Sequence, residues 1–200
     1  MNCPHAHGPM TRGATFWVCL ECGERIVDAA LATSDPVAAF VPRMPHVIAV
    51  ALDEYVRETS PYLKLHRLTA AAETFTRFCT VVVLGDLLGQ RRDGFPEKVR
   101  GLLAEKLDRP TFGAWRDLLD TGVRASIRKK SVLPELLEFV DRHLLPLLAD
   151  VIPLRNLLAH SGRLSPGDEL AFIAGYTPRF SALVAAADFL SGVRVVGSPS

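Results

Sequence analysis

A guanidinium, a carboxamide and an imidazole interrupt the apolar run VIPLRNLLAHSGRL at residues 151–164: Arg155, Asn156 and His160. Together they could cleave RNA without a metal. An imidazole, with an ordinary pKa of about 6.5, can take the 2′-hydroxyl proton at neutral pH. A guanidinium fork can hold the oxygens of the phosphorane that follows, and a carboxamide can orient either partner. The products would be a 2′,3′-cyclic phosphate and a 5′-hydroxyl. Spacing restricts this chemistry. Five residues turn a regular helix through about 500°, which leaves Arg155 and His160 about 140° apart, whereas Asn156 and His160 share a face. The pair can meet one phosphate only if the helix unwinds at His160 or if a second copy completes the site. The plainer reading is that Arg155 and His160 bond carbonyls at a helix end and pair with acids such as Asp150 or Glu169, as the helix dipole favours.

The N-terminus carries a second kind of chemistry. MNCPHAHGPMTRGATFWVCLECGER places Cys3, His5 and His7 ahead of Cys19 and Cys22. Cys19-x-x-Cys22-Gly23 has the form of a zinc knuckle, and structural zinc takes four nitrogen or sulfur ligands in a tetrahedron. The other pair is then Cys3 with one of two histidines. His7 is preferred because His7-Gly8 mirrors Cys22-Gly23, and His5 stays open. A filled ligand set points to a structural zinc ribbon, not a catalytic metal.

The bulk numbers frame both signals. Two hundred residues with 48% hydrophobic content suffice for one core plus a small appendage. A net charge of +1 gives no global polybasic signal; 18 arginines against 5 lysines would supply the better phosphate fork, but a high-GC genome is the plainer explanation of that bias. No run of about eighteen apolar residues is free of charge, so no membrane partner is expected. Four cysteines, three of them clustered near the N-terminus, do not resemble a secreted disulfide framework, and a cytoplasmic setting is expected.

The elements that must position these residues read as helices. Residues 1–30 form the ribbon, and 31–45, with three prolines, a linker or irregular packing arm. From 46 to 195 the pattern is helical. A short helix begins at His46. A long one begins at Ser60-Pro61, with Ser60 as N-cap and Leu68, Ala71, Phe75, Phe78, Val82 and Leu87 on one face. Two more helices follow, the second opened by RPTFGAW with Phe112 and Trp115 as anchors. RASIRKKS is a basic connection, and its Arg124, Arg128, Lys129 and Lys130 are the candidate contacts to an RNA backbone. The segment from Val132 to His160 is predicted to break near Asp150, as a new N-cap that puts Pro153 in a first turn, with Ser161-Gly162 as the stop. A last helix is expected from about Tyr176, and VRVVGSPS could begin a strand. Glu73 and Arg77 form an ordinary i,i+4 pair that could orient Arg155 only if Glu73 reached the cleft. His66 and His143 read as surface or packing residues, and Cys79 as core.

LRNLLAHSG resembles the Arg-polar-x3-His signature of the HEPN family, the nucleotide-binding domains of higher eukaryotes and prokaryotes. The likeness spans the all-α body from about 45 to 195, but only these few residues are distinctive. It implies an all-α HEPN-like helical bundle and a metal-independent endoribonuclease of a bacterial toxin or phage-defence system. Arg155 and His160 match the family's catalytic positions and Asn156 the polar residue after the arginine, with the site completed across a homodimer. RNA, and an antitoxin or sensor protein, would be the partners. The alternative is a non-catalytic interaction or nucleotide-binding regulatory module. The ribbon is no part of the family's core.

Overall fold

The computed structural model describes residues 2, 4, 6–12, 16–19, 21, 25–27, 35–108, 110–160 and 164–193. Its body is all-α. A small antiparallel sheet stands ahead of it, with β1 (Thr11–Arg12), β2 (Phe16–Val18) and β3 (Arg25–Val27) in the order β1-β2-β3. An antiparallel bridge from Asn2 to Pro9 closes the chain preceding it.

The arm that follows belongs to the core. Residues 35–44 run through turns and a 3-10 turn (Val41–Arg43), and Val37, Ala38, Val41 and Met44 are buried among the helices. Of the two readings of 31–45, this stretch is a packing arm. Asp35 pins it: one carboxylate oxygen caps the Val37 N–H at 3.0 Å and the other takes the Lys64 ammonium at 3.0 Å. The Lys64 Nζ also lies 4.6 Å from the centre of the Tyr55 ring. Burial pushes the Tyr55 phenol up to about 12, the hydrogen bond to Thr177 opposing the shift and the Asp35 charge adding to it. Asp35→Ala strands a largely buried ammonium and should cost about 1–2 kcal/mol, since the pair is neither fully dry nor fully exposed. A urea titration checks this.

The helical body comprises α1 (His46–Arg57), α2 (Pro61–Gly89), α3 (Glu97–Lys106) and α4 (Phe112–Ala125), followed by α5 (Pro134–Phe139), α6 (Leu145–His160) and α7 (Pro166–Ala186). α2 is the axis, packed against α1, α4, α6 and α7. Of the expected apolar face, Leu68, Ala71, Phe75 and Leu87 are fully buried and Phe78 and Val82 partly so, while burial spreads around the helix to Leu65, Ala72, Cys79 and Val83. Buried threonines fit this wrap because their hydroxyls find carbonyls one turn back: Thr76 donates to Ala72 at 2.8 Å and Thr80 to Thr76 at 2.7 Å. Among the described residues α2 alone is long and apolar enough to cross a bilayer, and 56% of its most apolar window is buried inside the protein, the pattern of a core helix. Ser60 precedes α2 with Pro61 in the first turn, yet the hydroxyl makes no capping bond; instead the Ser60 N–H donates to Glu58 at 2.9 Å. At α4 Thr111 caps the helix, accepting from the Ala114 N–H at 3.2 Å.

α4 crosses α2 at Gly122. A Cβ there would stand 3.1 Å from Val83 Cγ1 and 3.5 Å from Leu84 Cδ2. Val83 is buried and stiff at χ1, so it yields little room. Gly122→Leu should therefore destabilise by about 1–3 kcal/mol, while Gly122→Ala recovers part of its cost through about 1 kcal/mol of helix propensity. Thermal unfolding of the two variants measures the difference.

The predicted break at Asp150 does not occur. α5 passes through a π turn (Val140–Leu144) directly into α6, and α6 continues through Asp150 and Pro153 to His160. The irregularity sits one turn ahead of Pro146, where the missing N–H and the ring's crowding of the preceding carbonyl are felt. Pro153 leaves the Ala149 carbonyl without its helical donor, but Ala149 is exposed and solvent can serve it. α7 clamps the same turn: Tyr176 donates to the Asp150 carbonyl at 3.2 Å, and Arg179 pairs with the Asp150 carboxylate at 2.5 Å. α7 itself starts at Pro166, ahead of the expected Tyr176, because Ser165 caps it, accepting from the Asp168 N–H at 3.2 Å. Ser161-Gly162, the expected stop, lies outside the described residues, as does the expected strand beyond Val193.

Candidate functional site

The end of α6 is held by one face and exposed on the other. Leu154 and Leu158, one turn apart, are buried with Leu65 of α2, and Tyr62, Leu164, Phe172, Ile173 and Tyr176 pack around them. That packing fixes the helix rotation. Arg155, Asn156, Leu157, Ala159 and His160 are left exposed. No side chain among the described residues hydrogen-bonds or ion-pairs with the side chains of Arg155, Asn156 or His160. Most described arginines behave differently: Arg43, Arg57, Arg67, Arg77, Arg116, Arg124, Arg128, Arg142 and Arg179 all meet carboxylates.

Neither acid that could have neutralised the motif does so. Asp150 is committed to Arg179. Glu169, in the first turn of α7, is buried, and its Oε1 has no hydrogen-bond partner among the described residues. The helix remains helical through His160, so unwinding at that residue is not how Arg155 and His160 would come together. A single copy presents them on different sides of one rod, with Asn156 and His160 aligned one turn apart.

The structure does not bring the basic connection to this end. Arg124 pairs with Asp120 at 2.9 Å and Arg128 with Asp141, while Lys129 and Lys130 are exposed on a 3-10 turn (Arg128–Lys130). The connection leads into Pro134 at the start of α5. At about 1.5 Å per residue, the α5–α6 rod separates Pro134 from Arg155 by roughly 30 Å.

For the metal, Cys3, His5 and Cys22 lie outside the described residues, and no group of three or more ligand-type side chains occurs among those described. Of the four expected ligands, His7 and Cys19 are among the described residues. His7 lies inside the loop closed by the Asn2–Pro9 bridge, ahead of Gly8 at φ 105°, a turn conformation that glycine tolerates best. Cys19 is buried directly after β2, at the start of the connection that returns as β3.

The remaining signals settle into packing. Glu73 and Arg77 pair at 2.5 Å, and the guanidinium lies 5.8 Å from the Trp115 ring centre, so this acid faces α4 and does not orient Arg155. His66 contacts the Tyr62 ring edge-on at 4.6 Å, and burial lowers its pKa. His143 stacks on Phe139 at 6.1 Å. Cys79 is wholly buried, which pushes its thiol up and leaves it a core residue. Sequence reasoning passed over Asp86 and Gln90, whose role depends on a connection far along the chain and carries no local signal. No family model matches the chain, and no curated protein or solved structure does so.

Proposed function

We propose that this chain is a HEPN-like endoribonuclease whose site is completed between two copies, with a zinc ribbon at its N-terminus. The observation that carries the reading is the state of the α6 end: a guanidinium, a carboxamide and an imidazole stand exposed, with no side-chain partner among the described residues, on a helix rotated into place by Leu154 and Leu158.

His160 takes the 2′-hydroxyl proton as that oxygen attacks phosphorus, and the resulting imidazolium, directly or through water, protonates the departing 5′ oxygen. Arg155 holds the phosphorane oxygens, and Asn156, on the His160 face, orients the imidazole or the ribose. The P–O5′ bond breaks, leaving a 2′,3′-cyclic phosphate and a 5′-hydroxyl. Cys3, His7, Cys19 and Cys22 would hold the zinc, which supplies a structural cross-link and no reacting group.

The test incubates purified protein with a defined RNA and identifies the ends formed. Cleavage should give a cyclic phosphate, and Arg155→Ala or His160→Ala should each reduce the rate by about 10²–10⁴ without altering the thermal transition. Products with a 5′-phosphate, or variants as active as the parent, reject the reading.

A further inference from the structure

The connection between α4 and α5 is unusually well fastened for a surface loop. Asp86, near the C-terminus of α2, takes two of its groups: the Ser131 hydroxyl at 2.6 Å and the Val132 N–H at 3.1 Å. Gln90, one turn later, accepts the Ile127 N–H at 2.8 Å and donates to Asp86 at 3.0 Å. Ser131 Oγ then accepts the Leu133 N–H at 3.1 Å, and the Ser126 hydroxyl bonds the Gly122 carbonyl at 2.9 Å. Asp86 of α2 and Gln90, just past its end, thus hold the loop at both ends.

The fastening turns apolar side chains outward. Val132 is 84% exposed, the highest among the large hydrophobic residues described, and Ile127 is 40% exposed. Between them stand Lys129 and Lys130, exposed and without an ion pair among the described residues, while the flanking Arg124 and Arg128 are spent on Asp120 and Asp141. A fixed loop with two aliphatic side chains bracketing two free ammonium groups has lost its ordering entropy before any partner arrives.

We propose that residues 126–133 form a docking site for a short acidic and aliphatic segment of a partner protein. Val132 and Ile127 meet its aliphatic side chains, and Lys129 and Lys130 meet its carboxylates. An RNA strand fits less well. Two ammonium groups neutralise few phosphates, and the loop offers no aromatic ring for a base to stack on. An anionic bilayer also fits less well, since two aliphatic side chains, Ile127 and Val132, would bury little apolar area in it. The site stands apart from Arg155 and His160, so it holds or fails independently of the nuclease reading.

The probe is a fluorescein-labelled eight-residue peptide of alternating aspartate and leucine, added to the full chain and followed by anisotropy and by backbone amide shifts. Binding should shift the amides of residues 127–133 and weaken with added salt. Lys129→Glu with Lys130→Glu should weaken it at least tenfold, and Val132→Ser should weaken it with the thermal transition unchanged. No binding at millimolar peptide overturns the proposal, as does binding indifferent to these substitutions. Tighter binding of oligouridylate or phosphatidylserine vesicles through the same lysines overturns it too, assigning the loop to RNA or to a membrane surface.

Discussion

An equimolar mixture of Arg155→Ala and His160→Ala chains, each inert alone, should recover RNA cleavage. The expectation follows from α6 remaining a regular helix through His160. With the two side chains about 140° apart on one rod, neither copy can place both on a single phosphate. In a two-fold dimer, Arg155 of one copy can face His160 of the other, and the arrangement repeats across the axis. A mixed dimer then retains one intact pair. Random association makes half the dimers mixed, so the mixture should reach about a quarter of parental activity. Differently tagged chains, co-purified to isolate the mixed dimer, should reach about half by the same symmetry. If the isolated mixed dimer is as inactive as the single variants, the site is not shared in this way and the proposed geometry is wrong.

The largest stability effect should come from the middle of α2. Phe75 is fully buried, its ring 6.4 Å from that of Phe139 near the π turn. It therefore ties the central helix to the α5–α6 rod. Removing the ring deletes a large apolar surface and leaves a cavity between helices that cannot close independently, at a cost of about 3–5 kcal/mol. Against a total stability of about 5–15 kcal/mol, that is a severe loss, and the melting temperature should fall by about 6–20 °C. Val81, on the same helix but 62% exposed, serves as the control. Val81→Ala should stay within about 0.5 kcal/mol of the parent. Equal effects at the two positions would contradict the packing described.

The helical body was legible because its signals are local. Pro61 at the start of α2, Thr111 ahead of Phe112 and the apolar spacing from Leu68 to Leu87 all act within a turn or two of chain. The miss at Asp150 came from assigning Pro153 to the first turn of a new helix. Leu154, Val151 and Leu148 are buried together with the rest of the core, and that tertiary packing outweighs one missing hydrogen bond. The π turn has no residue signature of its own. The early start of α7 was readable, since Ser165 and Asp168 sit at capping-box spacing.

For the candidate site, sequence reasoning found the residue types and the angular mismatch of Arg155 and His160. It did not find that Arg128 would be neutralised by Asp141, a partner beyond the reach of helical spacing. The Asp120–Arg124 pair, at i,i+4, was within that reach. Whether four basic residues form a patch depends on the acids the fold brings to them.

The arm at residues 35–44 sets where this protein can be divided. Val37, Val41 and Met44 are side chains of the helical core, although they precede the first helix. A chain trimmed back to His46 would open hydrophobic slots against α1 and a 3-10 turn at Asp188–Gly192 and discard the anchor for Lys64. The smallest self-sufficient helical unit therefore begins ahead of Asp35. Grafting a different N-terminal module onto these helices requires a junction on that side of the arm.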